Sequence, residues 1–268
     1  MMTNLTDIFF GVIYGLIQGL SEFLPVSSSG HLALFPILAH FKDPGLIFDL
    51  AMHVGTALAV SLYFYKELIR ITKSFFAFIS GKSKDMYGLN FVVATFFSGV
   101  FALLLKDYAQ EVGRHSGLIA FNLAFFGILL YLSDRYFKQE SSPLSEMAGL
   151  KVSIIIGLAQ VLAIFPGVSR SGITITAARS MKLDRHDASS FSFLLSLPLI
   201  IAGAALKFYE IRETGAQFSM DMCLVGMVVS FVTGLVTIHY FMKLIRKINF
   251  CYFMYYRIFI AILVVVLT

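Results

Sequence analysis

The 268-residue chain has no tryptophan, only two cysteines and six prolines, and few charges: Asp, Glu, Lys and Arg together make up 14% of it. Soluble domains carry roughly 25% charged residues, so the polar surface here is too small to cover a water-solvated globule. A soluble enzyme is excluded. Cys223 and Cys251 lie within or at the edge of apolar stretches and lack the spacing of a zinc site, a haem attachment or a redox pair, so no thiol chemistry is expected. No basic residue precedes the first apolar stretch, so Met1 to Phe10 does not read as a cleaved signal peptide. Acid is not in excess either: the net charge is +5. In an apolar chain a surplus of Lys and Arg reflects cytoplasmic loops, so no nucleic-acid partner is expected.

What the chain has in abundance is apolar sequence in long runs. Hydrophobic residues make up 58% of it, 28 of them Phe, and the mean hydropathy is +0.82. Runs of this length and composition face lipid or a buried bundle. They predict an all-α, polytopic integral membrane protein, a single membrane domain over residues 1–268, with the lipid bilayer as its surroundings. Six stretches approach the length of a bilayer crossing: Leu46–Tyr65, Met86–Leu105, Leu118–Leu132, Phe191–Leu206, Met220–Met242 and Phe250–Leu267, the third and fourth being short. Two more, Ile8–Leu20 and Val152–Phe165, are too short to span, and each runs into a segment rich in Ser, Gly and Pro. They read as re-entrant half-helices. Backbone broken at membrane depth is tolerated only where protein or a cavity surrounds it, so such breaks point to a functional site.

Fourteen of the 21 Lys and Arg residues fall in predicted loops on one side, including Lys66–Lys84 and Lys243–Lys247, and five fall on the other, among them Lys106. The basic bias places the first set in the cytoplasm and both chain ends outside. With that orientation each half has a re-entrant helix-loop-helix followed by three transmembrane helices, and the halves run in opposite senses. They read as inverted repeats, about residues 1–134 and about residues 150–268. At a constant offset of 142, Gln18 matches Gln160, Phe23 matches Phe165, Ser27 matches Ser169, Ser29 matches Ser171 and Gly30 matches Gly172. Inverted repeats place their binding site where the broken segments meet.

The first break runs from Gln18 to His31. Gln18 and Glu22, four apart, share one helix face, and Pro25 ends that helix and releases Ser27, Ser28, Ser29 and His31 into the turn. The second runs from Phe165 to Thr174. Its glycines allow close approach of backbone, Ser169, Ser171 and Thr174 offer hydroxyls, and Arg170 presents a planar fork of donors suited to phosphate oxygens. Helices starting after each turn add amides that favour an anion. Ionisable groups at membrane depth cost roughly 2.5–3.5 kcal/mol on insertion scales, which marks Glu22, His31 and Arg170 as a site, a structural Glu22–Arg170 ion pair being the alternative. Asp49 and His53 form a second pair at helical spacing, either paired with each other or supporting the groups that touch substrate. Arg257, inside the last apolar segment, either snorkels, pairs internally or meets a lipid phosphate.

These two segments resemble the signatures of the undecaprenyl-diphosphate phosphatase family, the bacitracin-resistance membrane phosphatases. The family's first signature has Glu or Gln, three residues, Glu, then FLPVSS, one residue and GH, which Gln18 to His31 matches; its second, PGxSRSGxT, matches Pro166 to Thr174. The likeness extends over nearly the whole chain, including the acid and histidine of Phe48 to Gly55. It implies an enzyme of the bacterial inner membrane that hydrolyses the terminal phosphate of undecaprenyl diphosphate, recycling the carrier lipid for wall synthesis and conferring bacitracin resistance. It also implies a divalent cation, magnesium or calcium, and a site opening to the periplasm. Gln18 stands where many relatives have Glu, so a pair of carboxylates on the metal is not expected. On this reading Glu22 with Gln18 anchors the metal or Glu22 acts as base, and His31 is base or nucleophile. Ser28 is the competing nucleophile, with His31 activating it and a phosphoserine as the intermediate, and Arg170 clamps the diphosphate with Ser27, Ser169, Ser171 and Thr174. The alternative is a transporter or flippase for a polyprenyl phosphate, since inverted repeats with broken helices are foremost a transporter architecture. Whether the chain forms a homo-oligomer is not legible.

Overall fold

The computed structural model describes residues 5–39, 45–112, 115–137, 149–214 and 219–268. All regular structure among them is helical: α1 (Leu5–Ser21), α2 (Ser28–Ala39), α3 (Leu46–Tyr63), α4 (Tyr65–Ile79), α5 (Tyr87–Val112), α6 (Ser116–Tyr136), α7 (Leu150–Val161) with a 3₁₀ turn at Leu162–Ile164, α8 (Arg170–Ser180), α9 (Arg185–Thr214), α10 (Met220–Leu244) and α11 (Cys251–Leu267). Among the described residues, four helices are long and apolar enough to cross a membrane: Tyr87–Ala109 of α5, α6, Arg185–Ala205 of α9, and α10. This is a multi-span membrane protein.

Four of the six expected spans differ from the observed helices. The stretch Leu46–Tyr65 continues past a 77° bend at Phe64 into α4, so it qualifies only as part of a bent pair. The basic segment Lys66–Lys84, expected as a loop, is therefore mostly helix. On α4 Ile71 and Ser74 are buried while Lys66, Arg70 and Lys73 are exposed, the pattern of a helix lying along an interface. The short stretches Leu118–Leu132 and Phe191–Leu206 lengthen into α6 and α9, because the polar residues at their ends are paired within the protein. Asp134 accepts from Arg179 Nε at 3.0 Å and from Arg185 Nε and Nη2 at 2.8 and 2.6 Å. A charge satisfied in this way does not have to end a helix in solvent. The last stretch yields 17 helical residues, short for a crossing.

Each half contains one broken segment, and the two breaks are alike. α1 stops at Ser21 and the chain restarts as α2 at Ser28; α7 stops near Ile164 and restarts as α8 at Arg170. The residue before each restart is a serine with positive φ, 76° at Ser27 and 70° at Ser169. A non-glycine residue in that region costs roughly 1–2 kcal/mol, which the surrounding packing must offset. The hydroxyls of Ser27 and Ser29 lie 3.2 Å apart, and those of Ser169 and Ser171 3.4 Å.

Packing brings the breaks together. α1 lies against α10 and α7 against α5, while α3 packs on both α9 and α10, and α6 on α8 and α11. Close approach at the α3–α10 contact requires Gly55, where an added Cβ would sit 2.3 Å from the Met227 carbonyl oxygen. Small residues at such contacts let membrane helices touch along their backbones. The central core is aromatic: Phe23, from the first break, meets Phe193 of α9 edge-on at 5.3 Å between centroids, and Phe193 meets Phe241 of α10 at 5.7 Å.

Candidate active site

Glu22 sits in the first break with 6% of its surface exposed, and every contact of its carboxylate is with a side chain singled out by its motif or its spacing. Oε1 accepts from Arg170 Nη2 at 2.8 Å. Oε2 accepts from Ser28 Oγ at 2.7 Å and from Gln18 Nε2 at 3.1 Å. His53 Nε2 lies 3.9 Å from the same oxygen. The Gln18–Glu22 pair is thus formed as its four-residue spacing predicts, and the Glu22–Arg170 bond joins the two halves of the chain. Arg170 is the first residue of α8; its second donor arm reaches the Ser192 carbonyl at 3.4 Å.

Glu22, Ser28, His53 and Arg170 form the floor of a cavity of about 520 Å³. Ser27, Ser28 and Ser29 line it from the start of α2, and Ser169 and Arg170 line it from the start of α8. Two helix N-termini therefore flank it, one from each half, and both favour a bound anion. Asp49 and His53 contribute from α3 and Lys106 from α5. His53 Nδ1 donates to the Asp49 carbonyl at 2.8 Å, leaving Nε2 toward Glu22. One wall is apolar and made of small or aliphatic residues of α9, among them Leu199, Ile200, Gly203 and Ala204. A charged floor with an apolar wall suits a lipid with an anionic head.

Other residues from the motifs lie off this cavity. His31 is not among its lining residues: Nδ1 donates to the Ser27 carbonyl at 2.8 Å, and Nε2 is 2.7 Å from the Tyr256 hydroxyl, with the rings stacked. Both ring nitrogens are engaged, and the hydrogen-bond partner of Ser28 is Glu22, not His31. Ser171 Oγ donates to the Leu24 carbonyl at 3.1 Å, and Thr174 Oγ1 donates to the Arg170 carbonyl at 2.8 Å. The Ser171 hydroxyl thus fixes the second break against the first, while Thr174, whose Oγ1 also lies 2.6 Å from Ser192 Oγ, ties α8 to α9; neither residue lines the cavity. Gln18 lies behind Glu22, fully buried.

Arg257 has an assignment that the sequence alone left undecided. It is fully buried, and among the described residues its partners are backbone carbonyls. Nε donates to Leu123 O at 2.9 Å, Nη1 to Pro25 O at 3.4 Å, and Nη2 to Asn122 O, Gly167 O and Val168 O at 3.3, 2.9 and 2.9 Å. One guanidinium thus holds Pro25 of the first break and Gly167 and Val168 of the second. Gly172 leaves it room: a Cβ there would lie 2.7 Å from Nη1. The one sequence signal for this role was an arginine in the middle of an apolar run. Lys106 gave less warning, reading as one of five basic residues on the outer side.

The profile of a family described as bacitracin resistance protein BacA matches residues 11–263. The chain belongs to this family. The undecaprenyl-diphosphatase of Saccharophagus degradans is 42% identical over 255 residues, covering 94% of this chain and 95% of that protein. That of Idiomarina loihiensis is 39% identical over 264 residues, covering 97% and 99%. That of Alcanivorax borkumensis is 40% identical over 261 residues, covering 96% and 97%. The resemblance carried by the two motifs is thus a relationship of whole chains, and the cavity at their junction is where the family's shared chemistry has to be sought.

Proposed function

We propose that this protein hydrolyses undecaprenyl diphosphate to undecaprenyl phosphate and inorganic phosphate, and so confers bacitracin resistance as its family's name states. Family membership and the relatives' shared name support the reaction. The observation that carries it to particular residues is the Ser28–Glu22–Arg170 chain of hydrogen bonds at the floor of the cavity. The names of the relatives give the transporter alternative no support.

The chemistry follows from those contacts. Glu22 Oε2 accepts the Ser28 hydroxyl proton, which is the geometry of a base beside its nucleophile. Ser28 Oγ attacks the terminal phosphorus, its proton passes to Glu22, and the bond to the bridging oxygen breaks, releasing the lipid monophosphate, to which Glu22 returns the proton. A water then attacks the phosphoserine; Glu22 takes one of its protons and hands it to Ser28 Oγ as inorganic phosphate leaves. Arg170 and the amides at the starts of α2 and α8 offset the charge that gathers on the equatorial oxygens. His53 lies beside Glu22, its Nε2 3.9 Å from Oε2. Gln18, behind Glu22, and the buried hydroxyls of Ser171 and Thr174 keep the frame in register.

A divalent cation, magnesium or calcium, fits this donor set. Gln18 Oε1 is buried with no hydrogen-bond partner among the described residues, next to a carboxylate. Glu22 and a turned Gln18 amide would give a hard cation two of its oxygens, with substrate phosphate supplying others. Bound there, such an ion would neutralise phosphate charge. The reading extends to a setting: a bacterial inner membrane, with both termini and the cavity opening on the periplasmic side. The excess of basic residues on the opposite face supports that orientation. It also takes the two halves as inverted repeats, supported by the paired breaks at Ser27 and Ser169.

Phosphate release from a prenyl diphosphate by the purified protein in detergent tests the proposal. Release is expected from the wild type, to be lost with a chelator and in Arg170→Ala. Lipid binding without release would overturn the phosphatase reading and restore the transporter one.

A further inference from the structure

We propose that α4 and the connection that follows it form a binding site for an anionic glycerophospholipid, with the headgroup phosphate in a basic cleft and the acyl chains along an exposed apolar row of the helix. The place of α4 in the fold fixes its depth. α5 is long and apolar enough to cross a membrane and begins at Tyr87. α4 is fastened to that first turn: Ser74 Oγ donates to the Asp85 carbonyl at 3.2 Å and accepts from the Gly88 amide at 3.0 Å. Gly88 permits direct backbone contact, since a Cβ there would lie 2.3 Å from the Ile71 carbonyl oxygen. With the 77° bend at Phe64 turning it away from α3, α4 lies across the end of a span, at the depth where a bilayer changes from acyl chain to headgroup.

The helical period sorts the side chains of α4 into rows. Ile71 and Ser74 face the protein. Tyr65, Ile69, Phe76 and Ile79 stand in one row, 49% to 63% exposed, and Lys66, Arg70 and Lys73 stand exposed in the row beside it. An apolar row next to a basic one seats a helix in a lipid interface, apolar side toward the acyl chains and cations at the phosphates. Along the basic row runs a cleft of about 430 Å³, lined by Lys66, Arg70 and Lys73 and, from the connection to α5, by Ser83 and Asp85. Asp85 Oδ1 already accepts from the Tyr87 amide at 3.0 Å, and Glu67, beside the cleft, lies 3.5 Å from Arg70. Three cations against these two acids leave one net positive charge, and Lys82 and Lys84 stand exposed on the same connection. That balance favours an anionic headgroup over a zwitterionic one, whose own cation repeats the charge already present. Ile69 belongs both to the apolar row and to the lining of the cleft, so the headgroup and chains of a single lipid are met side by side.

The lack of tryptophan supplies the probe. Phe76→Trp puts a single indole on the exposed row. The full chain is reconstituted into phosphatidylcholine bilayers that contain dibrominated phosphatidylglycerol or, in a parallel series, dibrominated phosphatidylcholine, whose bromines quench indole fluorescence at short range. Quenching by both lipids is expected, with phosphatidylglycerol preferred about fivefold, roughly the effect of one basic residue near a lipid surface. The preference should fall to within about 1.5-fold at about 1 M salt, where charges are screened beyond about 3 Å. It should fall equally in Lys66→Gln/Lys73→Gln, which leaves Arg70 in place over the Tyr87 ring. Val228→Trp, exposed on α10, should be quenched with no preference between the lipids. Absence of quenching at Phe76→Trp overturns the proposal, because the row then faces water or a second copy of the chain. Equal quenching by the two lipids overturns it as well, and so does a preference as large at Val228→Trp, which would mean general enrichment of anionic lipid around a basic protein. The salt series uses the unaltered charges and decides the matter even where the double variant fails to fold, and no part of the readout depends on phosphate release.

Discussion

Replacing Arg257 with Lys should uncouple the two broken segments while keeping the buried positive charge. The guanidinium makes five bonds to backbone carbonyls, three of them in the breaks themselves, at Pro25, Gly167 and Val168. An ammonium has three donors on one atom and cannot span carbonyls on opposite sides of a planar fork. At least two carbonyls therefore lose their donor in a site with no water-exposed surface on Arg257. Hydrogen bonds to charged groups contribute about 1.5–3 kcal/mol each, so the expected loss of stability is about 3–5 kcal/mol. At roughly 2–4 °C per kcal/mol for a chain of this size, the unfolding midpoint in detergent should fall by about 10 °C. Activity below the new midpoint should fall as well. The Glu22–Arg170 bond depends on the breaks keeping their register, and a misplacement of about 1 Å at a reacting group can cost roughly a hundredfold. The assay is phosphate release per folded molecule at a temperature where both proteins are folded. A Lys variant whose midpoint is within about 2 °C of wild type and whose kcat is within about twofold would refute the tie between this arginine and the site.

How far the site was legible in the sequence depended on the kind of signal each residue left. The two breaks were legible because Pro, Gly and Ser cluster where apolar runs too short to span come to an end, and backbone broken at membrane depth is tolerated only where protein or a cavity surrounds it. Glu22 and Arg170 were legible because charge at membrane depth needs a reason, and the 2.8 Å bond between them is that reason in structural form. The partners of each hydroxyl were not legible. Ser28 and His31 are three residues apart, which suggested one activating the other, yet the start of α2 turns His31 toward Tyr256, 225 positions later, and leaves Ser28 on Glu22. Ser171 and Thr174 looked like phosphate ligands for the same reason, by type and not by direction. The helix ends failed differently. Asp134 and Arg185 fall just outside the expected stretches Leu118–Leu132 and Phe191–Leu206, and since the two are 51 residues apart a linear scan has no means of pairing them. The positive φ of Ser27 and Ser169 left no trace either, since serine is not the residue such a backbone favours.

Three further outcomes are expected. Ser28→Ala should lower phosphate release by at least about a hundredfold, and rapid acid quenching of the wild type with substrate radiolabelled on the terminal phosphate should place the label on Ser28; label on His31, or none, refutes the serine scheme. Tyr256→Phe removes the hydroxyl that meets His31 Nε2, so kcat should fall only a few-fold, about the effect of one lost hydrogen bond; a loss as large as that of Ser28→Ala would place His31 at the reacting atoms and contradict its position off the cavity. Asp134→Asn tests the opposite end of the molecule, where one carboxylate, 3% exposed in its side chain, serves both Arg179 and Arg185. Removing its charge leaves buried Arg179 and partly buried Arg185 without the carboxylate that ion-pairs them, and a buried pair broken from one side costs about 3–5 kcal/mol, so the unfolding midpoint should fall while kcat of the folded enzyme stays unchanged. A variant that melts like wild type but has lost activity would mean that this charge cluster communicates with the cavity, and that the α6–α9 junction is more than a structural anchor.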